Sequence, residues 1–324
     1  MFTRETMETH QTWFYVVALF LGAVIGLSNP TWGNVLHYTV SPVLAFLLYS
    51  MFVQIPFLQL KESWSNLRFM GALLVANFIV LPVVVWLLTL IFPQSPGVLV
   101  GVYLVLLTPC IDYVIVFTQL GRGNEKLMLA ATPLLFVVQM ILLPFYLWLL
   151  MGPEVAQVMQ VGPFVEAFLF LIVIPLLLAL VTQVLSRGRA SGERFMNATA
   201  WLPVPMMALA LIVVVASQIG KVYNDMAIIL NVIPIYVAFL IIMPWISRLI
   251  AAWFGLNAGD GRALIFSSAT RNSLVVLPLA LALPPEWATI AAAVIVTQTM
   301  VELAGELIYI RLVPAVILRD RRMY

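Results

Sequence analysis

From about residue 12 to residue 312 the chain is a train of long apolar runs. A run of ~20 apolar residues crosses the bilayer hydrocarbon as a helix, which satisfies every backbone N–H and C=O within one segment. Pro, Gly and charge clusters cut the train into ten spans, at about 12–28, 41–60, 69–92, 98–120, 127–151, 162–185, 196–218, 226–250, 263–283 and 287–312. They lack the short alternation of a membrane β-barrel. Only 9% of residues are charged and mean hydropathy is +1.08, where a soluble domain carries about 25% charge. The chain reads as an all-α polytopic membrane protein. No small-residue cleavage site follows the first run, which reads as a retained span.

Charge sets the expected orientation. With ten spans, Arg4, Lys61, Arg68, Arg122, Lys126, Arg187, Arg189, Arg194, Arg248, Arg262, Arg311, Arg319, Arg321 and Arg322 all fall on one side, leaving only Lys221 opposite and Arg271 inside span nine. The positive-inside rule then places both termini in the cytoplasm, in a cell (inner) membrane. Ten spans divide into repeat one, about 12–151, and repeat two, about 162–312, and five spans per repeat means inverted topology. Gln139 and Gln298 lie at similar places in spans five and ten, 159 residues apart. Each half is also interrupted in its fourth span, by Thr108-Pro109-Cys110-Ile111-Asp112 and by Ser267-Ser268-Ala269-Thr270-Arg271-Asn272-Ser273. Interrupted segments at corresponding positions point to a transporter's central binding site.

Several classes are excluded. Basic residues do not cluster among aromatics, so no nucleic acid is expected. One cysteine rules out an internal disulfide or a CxxC-type site. No nucleotide-binding loop is present, nor a paired-Asp, His-rich or Ser/His set, so the chain is not expected to be an enzyme and needs no cofactor.

Thr108-Pro109-Cys110, followed by Leu120-Gly121-Arg122-Gly123-Asn124, and Val301-Glu302-Leu303 of span ten resemble the bile acid:sodium symporter superfamily, most closely its arsenical-resistance branch. The resemblance implies a panel domain of spans 1, 2, 6 and 7, a core domain of spans 3–5 and 8–10, and unwound, crossing spans four and nine. It ties Cys110 to As(III) contact, and soft thiolate suits such a soft ion. Where the arsenical branch carries a glutamate in the span-nine break, this chain has Ser273. Where the bile-acid branch holds sodium with an acid, it has Ser267.

Charges at span depth are costly and mark candidate function. Asp112 and Arg271 are expected to pair where the breaks cross, with substrate or a proton competing for one of them. Both are candidate substrate contacts along with Asn272 and Ser273, and Asp112 is also a candidate for ion or proton coupling. Glu302 and Glu306 share one face of span ten. Glu302 is the candidate proton carrier, whereas Glu306 is expected to snorkel or to pair with Arg311. Gln139, Gln298 and Thr132 are candidate coupling-ion ligands, though such groups also serve as interhelical glue. Pro82, Pro175, Pro203 and Pro244, among others, should bend their spans. Trp13, Tyr103, Trp148, Trp201 and Trp287 should form the aromatic belt. The expected partners are the lipid bilayer, a small inorganic or organic anion, and a proton or sodium. Two activities remain open: proton-coupled extrusion of arsenite or antimonite, and sodium-coupled uptake of an organic anion.

Overall fold

A computed structural model describes residues 6–7, 10–28, 30–57, 66–111, 113–158, 166, 168–222 and 226–319. They form helices, with no β-strand among the described residues. In order these are α1 Gln11–Ser28, α2 Pro30–Gln54, α3 Leu67–Ile91, α4 Pro96–Leu106, α5 Val114–Leu120, α6 Glu125–Val158, α7 Leu169–Ser186, α8 Ala190–Thr199, α9 Pro203–Val222, α10 Met226–Trp253, α11 Ala258–Ala269, α12 Ser273–Leu281 and α13 Pro285–Leu312. Among the described residues, Leu67–Ile91, Glu125–Gly152, Leu169–Ser186, Ala190–Ser217 and Ile229–Trp253 are long and apolar enough to cross a membrane. Trp13–Ser28, Tyr38–Gln54 and Pro96–Leu106 are shorter apolar helices.

Two boundaries depart from the sequence reading, and the two expected breaks are present. The second helix starts at Pro30, well before the expected 41, because proline's fixed φ suits a first helical turn. Span seven is two helices that part at Ala200–Leu202, just ahead of Pro203. Spans four and nine are each two half-helices, α4 with α5 and α11 with α12.

The chain packs as two units. The first comprises Met1–Ile55, Gln157–Ile229 and Leu274–Val296. In it α9 lies along α1 and α2, and α7 along α2. Gly22 and Gly26 let the α1 backbone approach α9, since a Cβ would lie 2.9 Å from the Ile212 carbonyl oxygen at Gly22 and 2.6 Å from that of Ala216 at Gly26. This is the small-residue packing of membrane helices. Val40, Leu44, Leu47, Leu48, Met51 and Phe52 make the buried stripe of α2, at the three-to-four spacing of one helix face. Its C-terminal carbonyls need partners, and the Gln183 Nε2 donates to those of Phe52, Val53 and Ile55 at 3.2, 3.1 and 2.7 Å.

The second unit comprises Pro56–Ala156, Leu230–Ser273 and Thr297–Tyr324. Asparagines cap three of its helices: Asn66 on α3, Asn124 on α6 and Asn257 on α11. All three donate through Nδ2 to the buried Asp260 carboxylate, at 3.3, 2.8 and 2.8 Å. One carboxylate therefore gathers three helix N-termini, whose dipoles favour negative charge. The Leu120-Gly121-Arg122-Gly123-Asn124 motif lies against α11, because a Cβ at Gly121 would sit 2.2 Å from the Phe266 ring. Arg262, also buried, donates to the Arg122 and Leu318 carbonyls at 3.1 and 2.9 Å.

The internal prolines do more than bend helices. Pro82 has no N–H, so the Phe78 carbonyl four residues earlier loses its α-helical partner. A π-helical turn, Ala76–Val80, precedes it, and the Tyr146 hydroxyl of α6 donates to that carbonyl at 2.5 Å. Pro244 frees the Leu240 carbonyl of α10 in the same way, and the Tyr309 hydroxyl of α13 donates to it. The two prolines stand 162 residues apart, and so do the two carbonyls. Among the expected belt residues, Trp13 and Trp148 are exposed. Tyr103 is not: it is buried, with its hydroxyl 2.8 Å from that of Thr89.

Candidate functional site

Two non-helical stretches of the second unit meet. Pro109 cannot donate a helical hydrogen bond, and it pushes Thr108 away from helical geometry. The α4 helix therefore stops at Leu106, and the Thr108 hydroxyl turns back to the Leu104 and Val105 carbonyls at 2.9 and 3.2 Å. The second break has no proline of its own. Thr270 is extended (φ −91°, ψ 128°), and the backbone is held from outside. Pro109 and Arg271 form an antiparallel β-bridge. The Cys110 N–H donates to the Thr270 carbonyl at 3.1 Å, and the Asn272 N–H to the Thr108 carbonyl at 2.8 Å. Thr108 and Thr270, Pro109 and Arg271, and Cys110 and Asn272 are again each 162 residues apart.

Arg271 sits at the centre and is fully buried. Its Nη2 donates to Asn77 Oδ1 at 2.8 Å and to the Ser267 carbonyl at 2.5 Å, and its Nη1 to the Leu106 carbonyl at 3.3 Å. The guanidinium carbon lies 5.8 Å from the Phe239 ring centroid, within cation–π range. Asn77 also donates to the Ser267 hydroxyl at 3.2 Å. Ser247 and Ser268 join α10 to α11 with a 2.5 Å hydroxyl contact.

Two carboxyls of α13 hold the second break, Glu302 at the Arg271 backbone and Glu306 at the Thr270 side chain. Glu302 Oε2 accepts from the Arg271 N–H at 2.7 Å and from Gln298 Nε2 at 2.5 Å. Glu302 Oε1 lies 2.8 Å from the Tyr113 hydroxyl, which also lies 3.1 Å from the Arg271 carbonyl. That hydroxyl has one proton and two acceptors. Glu306 Oε1 accepts from the Thr270 hydroxyl at 2.7 Å, while its Oε2 is buried without a hydrogen-bond partner. Glu306 is fully buried, which corrects the expectation that it snorkels or pairs with Arg311. One helical turn beyond Glu302 puts it on the Thr270 side of the break.

Arg271, Asn272, Cys110, Glu302 and Gln298 are thus joined in one network. Cys110 is fully buried, and Ser273 begins α12 with its hydroxyl buried and unpartnered. Thr132 bonds within its own helix, to the Met128 carbonyl at 3.1 Å. Gln139 is buried with neither amide atom hydrogen-bonded. Asp112, and with it the expected Asp112–Arg271 pair, lies outside the described residues. Sequence reasoning missed Asn77 and Tyr113 as members of the network. A lone asparagine deep in the apolar Leu67–Ile91 span was the available signal for the first.

Among the described residues no group of His, Cys, Asp and Glu is arranged to hold a metal ion. A comparison with curated proteins gives no match. The model of the Sodium Bile acid symporter family matches residues 34–225, more than half of the chain and inclusive of the first break. The long apolar helices and this match together make the protein a multi-pass membrane protein, and the chain belongs to the sodium bile acid symporter family.

Proposed function

We propose that the protein is a secondary active transporter that extrudes arsenite or antimonite in exchange for protons, with the paired breaks as its site. The carrying observation is the buried charge at the pairing. One guanidinium, Arg271, and two carboxyls, Glu302 and Glu306, are all fully buried. Uncompensated charge at such depth costs several kcal/mol, so the one negative charge in excess among the described residues at the pairing calls for a proton. Glu302 is placed to take it. When Oε1 is protonated, it donates to the Tyr113 hydroxyl, which then donates to the Arg271 carbonyl alone. Protonation is thereby coupled to the backbone of the second break. Cys110, whose N–H is held by Thr270, supplies the thiol for As(III), with Asn272 and Ser273 beside it. Gln139, Gln298 and Thr132 are the polar groups near the path of the coupling ion, and Asp112 is proposed as a further contact.

The architecture proposed with this is ten spans in two inverted five-span repeats, with both termini cytoplasmic in the inner membrane. The 162-residue offset supports it, recurring in the prolines, the carbonyls they free, and the three residue pairs of the breaks. The first unit contains most of the residues proposed as the panel, and the second most of those proposed as the core.

Uptake of As(III) into everted vesicles tests this reading. A pH gradient should drive uptake without sodium, and Cys110→Ser should reduce it at least tenfold. Absence of As(III) uptake, together with sodium-driven uptake of a carboxylate, overturns it. Sodium-coupled uptake of an organic anion is the second reading, favoured by the family match.

A further inference from the structure

The oxygens around Arg271 resemble a cation site more than an anion site. The Leu106 carbonyl is the C-terminal end of the half-helix α4, and the Ser267 carbonyl lies in the last turn of the half-helix α11. The C-terminal ends of helices carry partial negative charge. Free carbonyls at the ends of broken helices are the groups with which transporters coordinate cations. Asn77 Oδ1 adds a third oxygen from α3. All three face the same guanidinium, at 3.3, 2.5 and 2.8 Å. An arginine engaged in this way is not presented to a substrate carboxylate. Its two terminal nitrogens are turned to the fold's own oxygens, its Nε is buried without a hydrogen-bond partner, and the Phe239 ring closes another side.

We propose that the Arg271 guanidinium is a tethered cation that fills a cage built from Leu106 O, Ser267 O and Asn77 Oδ1, so that this position needs no metal ion. The inference deepens the transport reading by assigning Arg271 to ion substitution, and rests on that reading for its functional meaning. It also gives the pairing a physical basis. The guanidinium joins the ends of α4 and α11 to α3 without depending on the ionic composition on either side of the membrane. Such a site cannot be emptied by a sodium gradient, so the coupling charge must move elsewhere, and the α13 carboxyls are buried groups bonded to the second break that can carry it.

Chemical rescue decides the matter, read as thermal unfolding of the purified full-length protein so that no substrate is involved. Wild-type protein should melt at the same temperature in choline, sodium and dilute guanidinium chlorides. Arg271→Ala should melt lower in choline and recover about 2–4 °C or more in sodium or guanidinium. Arg271→Lys, which keeps a tethered charge, should be indifferent to the three salts. Equal melting of Arg271→Ala in all three, or the same rise with sodium in wild type, overturns the proposal. Should Arg271→Ala fold in none of the salts, a folded and salt-indifferent Arg271→Lys supports it and an unfolded Arg271→Lys overturns it. A failure of As(III) transport leaves these melting results unchanged, so the two readings fail separately.

Discussion

Glu302 accepts from Tyr113, Gln298 and the Arg271 backbone at once, and so joins the first break, the second break and α13. Glu302→Gln keeps the side chain's shape and an acceptor but removes the exchangeable proton. The expected outcome is a folded protein whose As(III) flux no longer responds to a pH gradient, read by vesicle uptake at several external pH values. Tyr113→Phe removes the shared proton while leaving the ring in its edge-on contact with Phe117. Flux should fall, with its pH response retained but shifted. At this scale the sequence singled out side chains that meet at the breaks but not their partners. Burial made Arg271, Glu302 and Cys110 conspicuous among apolar neighbours. Which oxygen each would meet depends on α3 and α13 lying beside the breaks, contacts made across 194 residues of chain for Asn77 and Arg271.

Paired helices are held where their own backbones are interrupted. Tyr146 and Tyr309 each supply the hydrogen bond that a proline has removed from α3 or α10. Leaving a buried carbonyl unpaired costs about 1–3 kcal/mol, and interhelical bonds in membranes average nearer 0.6 kcal/mol. Tyr146→Phe and Tyr309→Phe should therefore each lower the melting temperature by a few degrees, additively in the double variant. Replacing Asp260 by Ala strands the three asparagines that cap α3, α6 and α11, and should cost more than Asp260→Asn in the same assay. The helices themselves were legible, because membrane-spanning segments announce themselves by apolar length. The first break was legible from Pro109, and the second from its run of polar residues. The register between the halves was harder to read. Gln139 and Gln298 suggest an offset of 159, whereas the prolines, the carbonyls they free and the bridged residues agree on 162. Glutamines can sit anywhere on a buried face, but a carbonyl freed by proline is fixed four residues before it. Asp260 went unnoticed because an acid near a helix start reads as an ordinary exposed capping residue.

For the whole molecule, the proposed transport couples cargo movement to compensation of one buried charge. Gly26→Leu in the first unit would force α1 away from α9, since even a Cβ there would lie 2.5 Å from Ile219. It should reduce the amount of folded protein, read by detergent size-exclusion, while a folded fraction keeps its ion preference. The most direct measurement is internal pH, followed by a trapped dye, in sodium-free proteoliposomes after a step in As(III). With proton exchange, protons move opposite to As(III) in wild type and not at all in Glu302→Gln. A pH signal that is absent without sodium, with As(III) movement appearing only when sodium is added, would contradict it.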